Sequence, residues 1–89
     1  MEFSCHVEVR GLEGIADPAG RTIERALPAL GFDGVSSVHV GKVISFVLEA
    51  DDEASCREMV SEMCERLLAN PVIERAEVEV APLATGAAG

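Results

Sequence analysis

Tryptophan and tyrosine are absent from this sequence and phenylalanine occurs only three times, so any core must be aliphatic. The same shortage removes the aromatic platforms on which single-stranded nucleic acid stacks. Positive charge is also scarce: seven Lys and Arg stand against sixteen Asp and Glu, a formal charge of −9. That field repels phosphate backbones and anionic membranes, so neither nucleic acid nor membrane is expected as a partner. Cysteine is sparse and odd in number, at Cys5, Cys56 and Cys64. No CxxC occurs, which argues against a zinc knuckle or a thioredoxin-type site. An odd count with no close pair argues against a disulfide framework. Reduced, buried cysteines in a cytoplasmic protein are the expectation. Met1 to His6 lacks a basic start and an apolar run of signal length, and no stretch approaches transmembrane length.

What is present fits one domain. The chain has 89 residues, 48% of them hydrophobic, which is enough for a core but not for two. A chain this short buries only roughly two-thirds of the surface its unfolded form exposes, and association is one ordinary way to add to that. The expected domain spans residues 1–81, with a small-residue tail over 82–89 expected to be disordered.

Phe3 to Arg10 alternates, with Phe3, Cys5, Val7 and Val9 on one side, as a strand with one buried face does. Asp17 is a good N-cap and Pro18 suits the first helical position. Ile23, Ala26, Leu27 and Leu30 then form one apolar stripe, and Gly31 marks a stop. Pro28 conflicts with a regular helix, at a cost of about 3 kcal/mol in an interior, so a kink or early end is expected there. Val35 to Ala50 reads as two strands around a type II′ turn at Gly41-Lys42. Asp51-Asp52 precedes a second helix with a stripe of Cys56, Met59, Val60, Met63, Cys64, Leu67 and Leu68. Asn70-Pro71 ends it, and Val72 to Val80 is a last strand.

The order βαββαβ predicts an α+β, ferredoxin-like domain: a four-stranded antiparallel sheet with two helices on one face. In that arrangement Val38, Val40, Val43 and Val47 fall on the uncovered face of the hairpin. An apolar patch there is expected to form a symmetric contact between subunits.

Catalytic constellations are missing. His6 and His39 each stand alone, and Cys5, Cys56 and Cys64 fall on apolar sides where a thiolate is disfavoured. Asp51-Asp52-Glu53 reads as a helix cap rather than a hard-metal site. Gly11, Gly14 and Gly20 lack the spacing and the Lys-Ser or Lys-Thr pair of a phosphate loop. No catalytic, cofactor or metal residue is assigned. A competing reading is a stand-alone regulatory domain that binds a small molecule.

Two stretches resemble one known family. The first is Gly14 to Gly20, followed by Ala26-Leu27, Leu30-Gly31-Phe32 and Val38-His39-Val40-Gly41-Lys42; the second is Cys64 to Glu74. In order and spacing they resemble the PurS family, the small subunit of bacterial and archaeal phosphoribosylformylglycinamidine synthase, over nearly the whole chain except the tail. The resemblance implies a subunit that catalyses nothing alone. It implies a homodimer or tetramer that bridges a glutaminase subunit and a large synthetase subunit and assists ammonia transfer between them. ATP, Mg and glutamine would be used by those partners, with no cofactor in this chain. Asp17, Pro18 and Gly20 are expected to set one corner and Asn70 and Pro71 another. Gly41 and Lys42 are expected to shape the hairpin, with Val40 and Val43 beside them at the contact.

Overall fold

The alternation after Met1 becomes β1 (Glu2–Gly11), the middle strand of the sheet in the computed structural model, which describes residues 1–83. From residue 84 on, the expected tail lies outside the described residues. β2 (Lys42–Glu49) and β3 (Glu74–Pro82) flank β1, both antiparallel to it. The register places Leu48, Phe46 and Ile44 of β2, and Val80, Val78 and Ala76 of β3, beside the inward residues of β1. Phe3, Cys5, Val7 and Val9 are almost wholly buried as a result. A shift of one residue would turn this whole set to solvent, so burial and register enforce each other.

Helix α1 (Pro18–Ala26) and helix α2 (Glu53–Met63) complete the order. α1 ends ahead of Pro28, and a single 3-10 turn (Pro28–Leu30) closes on Gly31. α2 starts at Asp52, whose Oδ1 accepts the Ser55 N–H at 2.7 Å. It lies across β1 and β3 and buries Cys56, Val60 and the following Cys64. The Sγ atoms of Cys5 and Cys56 meet there at 3.7 Å, a close pair that their separation in sequence does not reveal.

Two features correct the sequence-based fold. Among the described residues the sheet has three strands, not four, and of the two helices it is α2 that covers it. Val35 to Val40 forms no strand. Ser37 adopts a left-handed φ of 56°, which breaks the extended run. The N–H of Val38 donates to Glu24 Oε1 at 2.9 Å, Arg21 donates to the Val38 carbonyl, and the N–H of Val40 donates to Asp17 Oδ2 at 2.9 Å. Side chains of α1 thus take the backbone groups that a ladder would need. No hairpin forms at Gly41-Lys42, and Lys42 simply opens β2. α1 itself stands away from the sheet, with the 3-10 turn as its main neighbour. The molecule is correspondingly thin, 50 × 33 × 15 Å, with a radius of gyration of 16.9 Å. A compact domain of this length would have about 12 Å.

The apolar stripe of α2 is also shorter than its spacing predicts. Cys64–Leu68 is a π-helical turn, closed by the Ala69 N–H on the Cys64 carbonyl at 3.1 Å. Its wider pitch breaks the 3.6-residue phase and leaves Leu67 83% exposed. Val60→Ala should therefore destabilise the chain by about 2 kcal/mol, whereas Leu67→Ala should change stability by less than about 0.5 kcal/mol. Urea denaturation of both variants checks this, and equal losses would mean that the stripe continues regularly through the turn.

Candidate association surface

The corner that opens α1 is built around one carboxylate. Asp17 Oδ1 accepts the Gly20 N–H at 2.9 Å, which caps the helix, while Oδ2 accepts the Val40 N–H at 2.9 Å. His39 Nδ1 lies 3.5 Å from the same Oδ2. The Gly20 amide, then that of Val40, hold the Asp17 carboxyl below its ordinary 3.8, and the His39 ring adds to this. Pro18 occupies the first helical turn, where its missing N–H leaves nothing unpaired. Gly20 is obligatory for a different reason. A Cβ there would sit 2.5 Å from Asp17 Oδ2 and 2.6 Å from the Val38 carbonyl oxygen, so only glycine lets segment 38–40 lie against the helix. Gly41 passes equally close to β1, where a Cβ would come within 2.7 Å of the Val9 carbonyl oxygen.

Asn70 and Pro71 lie in the turn that leads into β3. The Asn70 carbonyl accepts the N–H groups of Ile73 and Glu74 at 3.0 and 2.7 Å, and Asn70 Oδ1 accepts the Val72 N–H at 3.1 Å. Glu74 Oε1 takes the Asn70 N–H in return, at 2.7 Å. Pro71 sits inside this turn, and the Ile73 carbonyl accepts the Leu12 N–H at 2.8 Å, which joins it to the loop after β1. One open cleft of about 790 Å³ lies beside the Asp17 corner and reaches the start of β3, lined among others by Arg10, Asp17, His39, Val40, Ile73 and Arg75. The Asp17 and Glu74 carboxylates there are already engaged in shaping the backbone. Among the described residues, no three His, Cys, Asp or Glu side chains gather as a metal site.

Val40 and Val43 are both exposed but do not share a hairpin face. Val40 borders the cleft, and Val43 lies on the outer face of the sheet opposite Glu8. Lys42 is exposed at the start of β2 and makes no ion pair among the described residues. His6 is on the outer face as well, 2.8 Å from Ser45 Oγ. The larger apolar surface is one the hairpin reading missed. Ile23, Leu30 and Phe32 of α1 and the turn after it are exposed, Leu30 at 71% and Phe32 at 58%. Across the inner sheet face, Ile44, Phe46 and Leu48 of β2 are only half buried. The stripe over 23–30 was readable from spacing; that it stays uncovered was not. Arg21 and Glu24 were missed too, because nothing local marks them as partners of segment 38–40.

Residues 4–82 match the family model PurS, described as phosphoribosylformylglycinamidine (FGAM) synthase. The phosphoribosylformylglycinamidine synthase subunit PurS of Synechocystis is 42% identical over 81 residues, which cover 91% of this chain and 81% of that one. The crystal structure of Methanocaldococcus jannaschii PurS, one of the subunits of formylglycinamide ribonucleotide amidotransferase in the purine biosynthetic pathway, superimposes with a TM-score of 0.82. Its identity is 39%, over 92% of this chain and 99% of that one. A chain in the structure of PurLQS from Thermotoga maritima gives a TM-score of 0.84 at 34% identity, over 91% of this chain and 99% of that one.

The Asp17 corner has a pH signature. Its folded carboxyl titrates below 3.8, so the unfolded chain binds this proton more tightly than the folded chain does. The stability it contributes is fully present above 3.8 and is lost as pH falls through the lower folded value. Asp17→Asn should lower the urea midpoint at neutral pH and show a shallower further loss toward pH of about 3 than the parent. An acid limb as steep as the parent's would place that titration elsewhere.

Proposed function

The chain belongs to the PurS family, and from that premise we propose that it serves as the non-catalytic small subunit of phosphoribosylformylglycinamidine synthase in purine biosynthesis. It works as a homodimer that bridges a glutaminase subunit and a larger ATP-dependent synthetase subunit. Glutamine is consumed by the first partner, and ATP with Mg by the second, in the cytoplasm. The near-complete coverage of relatives that carry this name supports the assignment, as does the likeness to a chain of the PurLQS structure.

The bridging role has a physical reason. Ammonia released into water is diluted and mostly protonated, and ammonium has no lone pair with which to attack. Docked subunits keep the neutral molecule near its target. A chain for this task needs contact surfaces rather than a site of its own. The observation that carries the reading is the uncovered apolar face of α1 and its turn, in a molecule only 15 Å thick. The half-open inner face of β2 is the matching deficit. A second copy that lays its α1 over Ile44, Phe46 and Leu48 would cover both surfaces in a reciprocal way, as a two-fold contact requires.

Ile23→Glu combined with Phe32→Glu should shift the chain from dimer to monomer in sedimentation equilibrium without unfolding it, since both side chains are exposed. An unchanged dimer mass would remove α1 from the contact. Lys42→Ala tests the bridge. In the reconstituted complex it should lower glutamine-dependent synthesis roughly two- to fivefold, the worth of one surface charge contact, and leave ammonia-dependent synthesis nearly unchanged. Equal losses, or none, would deny Lys42 a part in coupling.

A further inference from the structure

Cys5 on the central strand and Cys56 on α2 are both completely buried, and their Sγ atoms are 3.7 Å apart. We propose that they form a latent disulfide site, oxidised as a pair to a cross-link that ties β1 to α2. A disulfide has a sulfur–sulfur distance of about 2.05 Å. The sulfurs already touch, so rotation about the two Cα–Cβ bonds has less than about 2 Å to close. Around them lie the apolar side chains of Phe3, Val7, Val60 and Val80. The third thiol, Cys64, belongs to the same core but lies beyond α2, in the π-helical turn.

The same burial makes the pair slow to react. Burial pushes the Cys5 thiol up to about 11, with Cys56 alongside adding to the rise. The nucleophilic thiolate is therefore scarce at neutral pH, and the pair stays reduced until a strong oxidant or a transient opening of α2 reaches it. With hydrogen peroxide the chemistry balances as follows. One thiolate attacks a peroxide oxygen, the O–O bond breaks, and a sulfenic acid forms with loss of water. The second thiol then attacks that sulfur, the S–O bond breaks, and a second water leaves. Two thiols lose two electrons and two protons, and the peroxide is reduced to two waters. The product closes a loop between residues 51 apart in sequence and so restricts the unfolded chain more than the folded one.

The test uses the full chain, folded, with hydrogen peroxide as oxidant. Free thiols should fall from three to one. Peptide mapping should join the segment of Cys5 to that of Cys56 with loss of two hydrogens. The thermal midpoint should rise by at least about 5 °C and return on reduction. Cys64→Ala should keep the joined peptide and the rise while its free thiols fall from two to none, and Cys56→Ala should abolish the joined peptide and the rise. If Cys56→Ala does not fold, the parent's peptide map decides alone. A link through Cys64, a link between two chains, sulfinic acid on unlinked chains, or a thermal midpoint that falls would overturn the proposal. So would persistence of all three thiols under conditions in which the unfolded chain loses them.

Discussion

The inward side of β1 is the surface on which the rest of the structure depends. Phe3, Cys5, Val7 and Val9 stand in one row, and β1 spends both of its edges on ladders to β2 and β3. Everything that covers this row comes from far along the chain. α2 lays Cys56, Val60 and Cys64 over it, and β3 brings Val80 beside it. One helix is narrow, however. It shields β1 and Val80 of β3 and leaves the inner side of β2, with Ala76 and Val78 of β3, half open. The chain holds a second amphipathic helix that could close the gap and places it elsewhere.

The reason is polar rather than apolar. Asp17, Arg21 and Glu24 lie about one turn apart on α1 and reach the backbone of Val38 and Val40. Two consecutive features of the chain, a helix and the extended segment after it, thus satisfy each other through side chains. The segment cannot then add a strand to the edge of β2, because its hydrogen-bonding groups are engaged. The glycine at position 20 makes the approach possible, and the Asp17 carboxylate holds both partners at once. What would have been a closed two-layer domain becomes a closed half and an open half, joined through Gly41 where it passes against β1.

Much of the closed half was legible in the sequence. Strict alternation located β1 and β3, the Cys56–Val60–Cys64 spacing located α2, and Asp17, Asp52 and Pro28 marked helix ends by local chemistry. The same local rules misled over 35–40. Val38 and Val40 alternate as strand residues do, but the groups that decide their conformation belong to residues 17 to 24. Leu67 fits the helical period and is displaced by a π-helical turn that no composition signal announces. Of the site, the two corner motifs were readable because proline, glycine and asparagine act on their own backbone. The pairing of Cys5 with Cys56 and the uncovered state of α1 were not, since both depend on packing between distant elements.

Several polar groups of the cleft beside the Asp17 corner serve the fold. The Asp17 and Glu74 carboxylates accept backbone amides, and Arg10 and Arg75, directly opposite each other in the register, are each drawn to an acid two residues away along their own strands. The unspent capacity of the molecule is apolar instead: Ile23 on α1 with Leu30 and Phe32 after it, and Ile44, Phe46 and Leu48 on β2. Both apolar sets stand at least partly open to solvent while the Asp17 corner holds α1 and segment 38–40 together. A second chain laid over both sets would cover them with that corner intact. On this view the polar staple that holds α1 away from its own sheet is also what makes the protein a subunit.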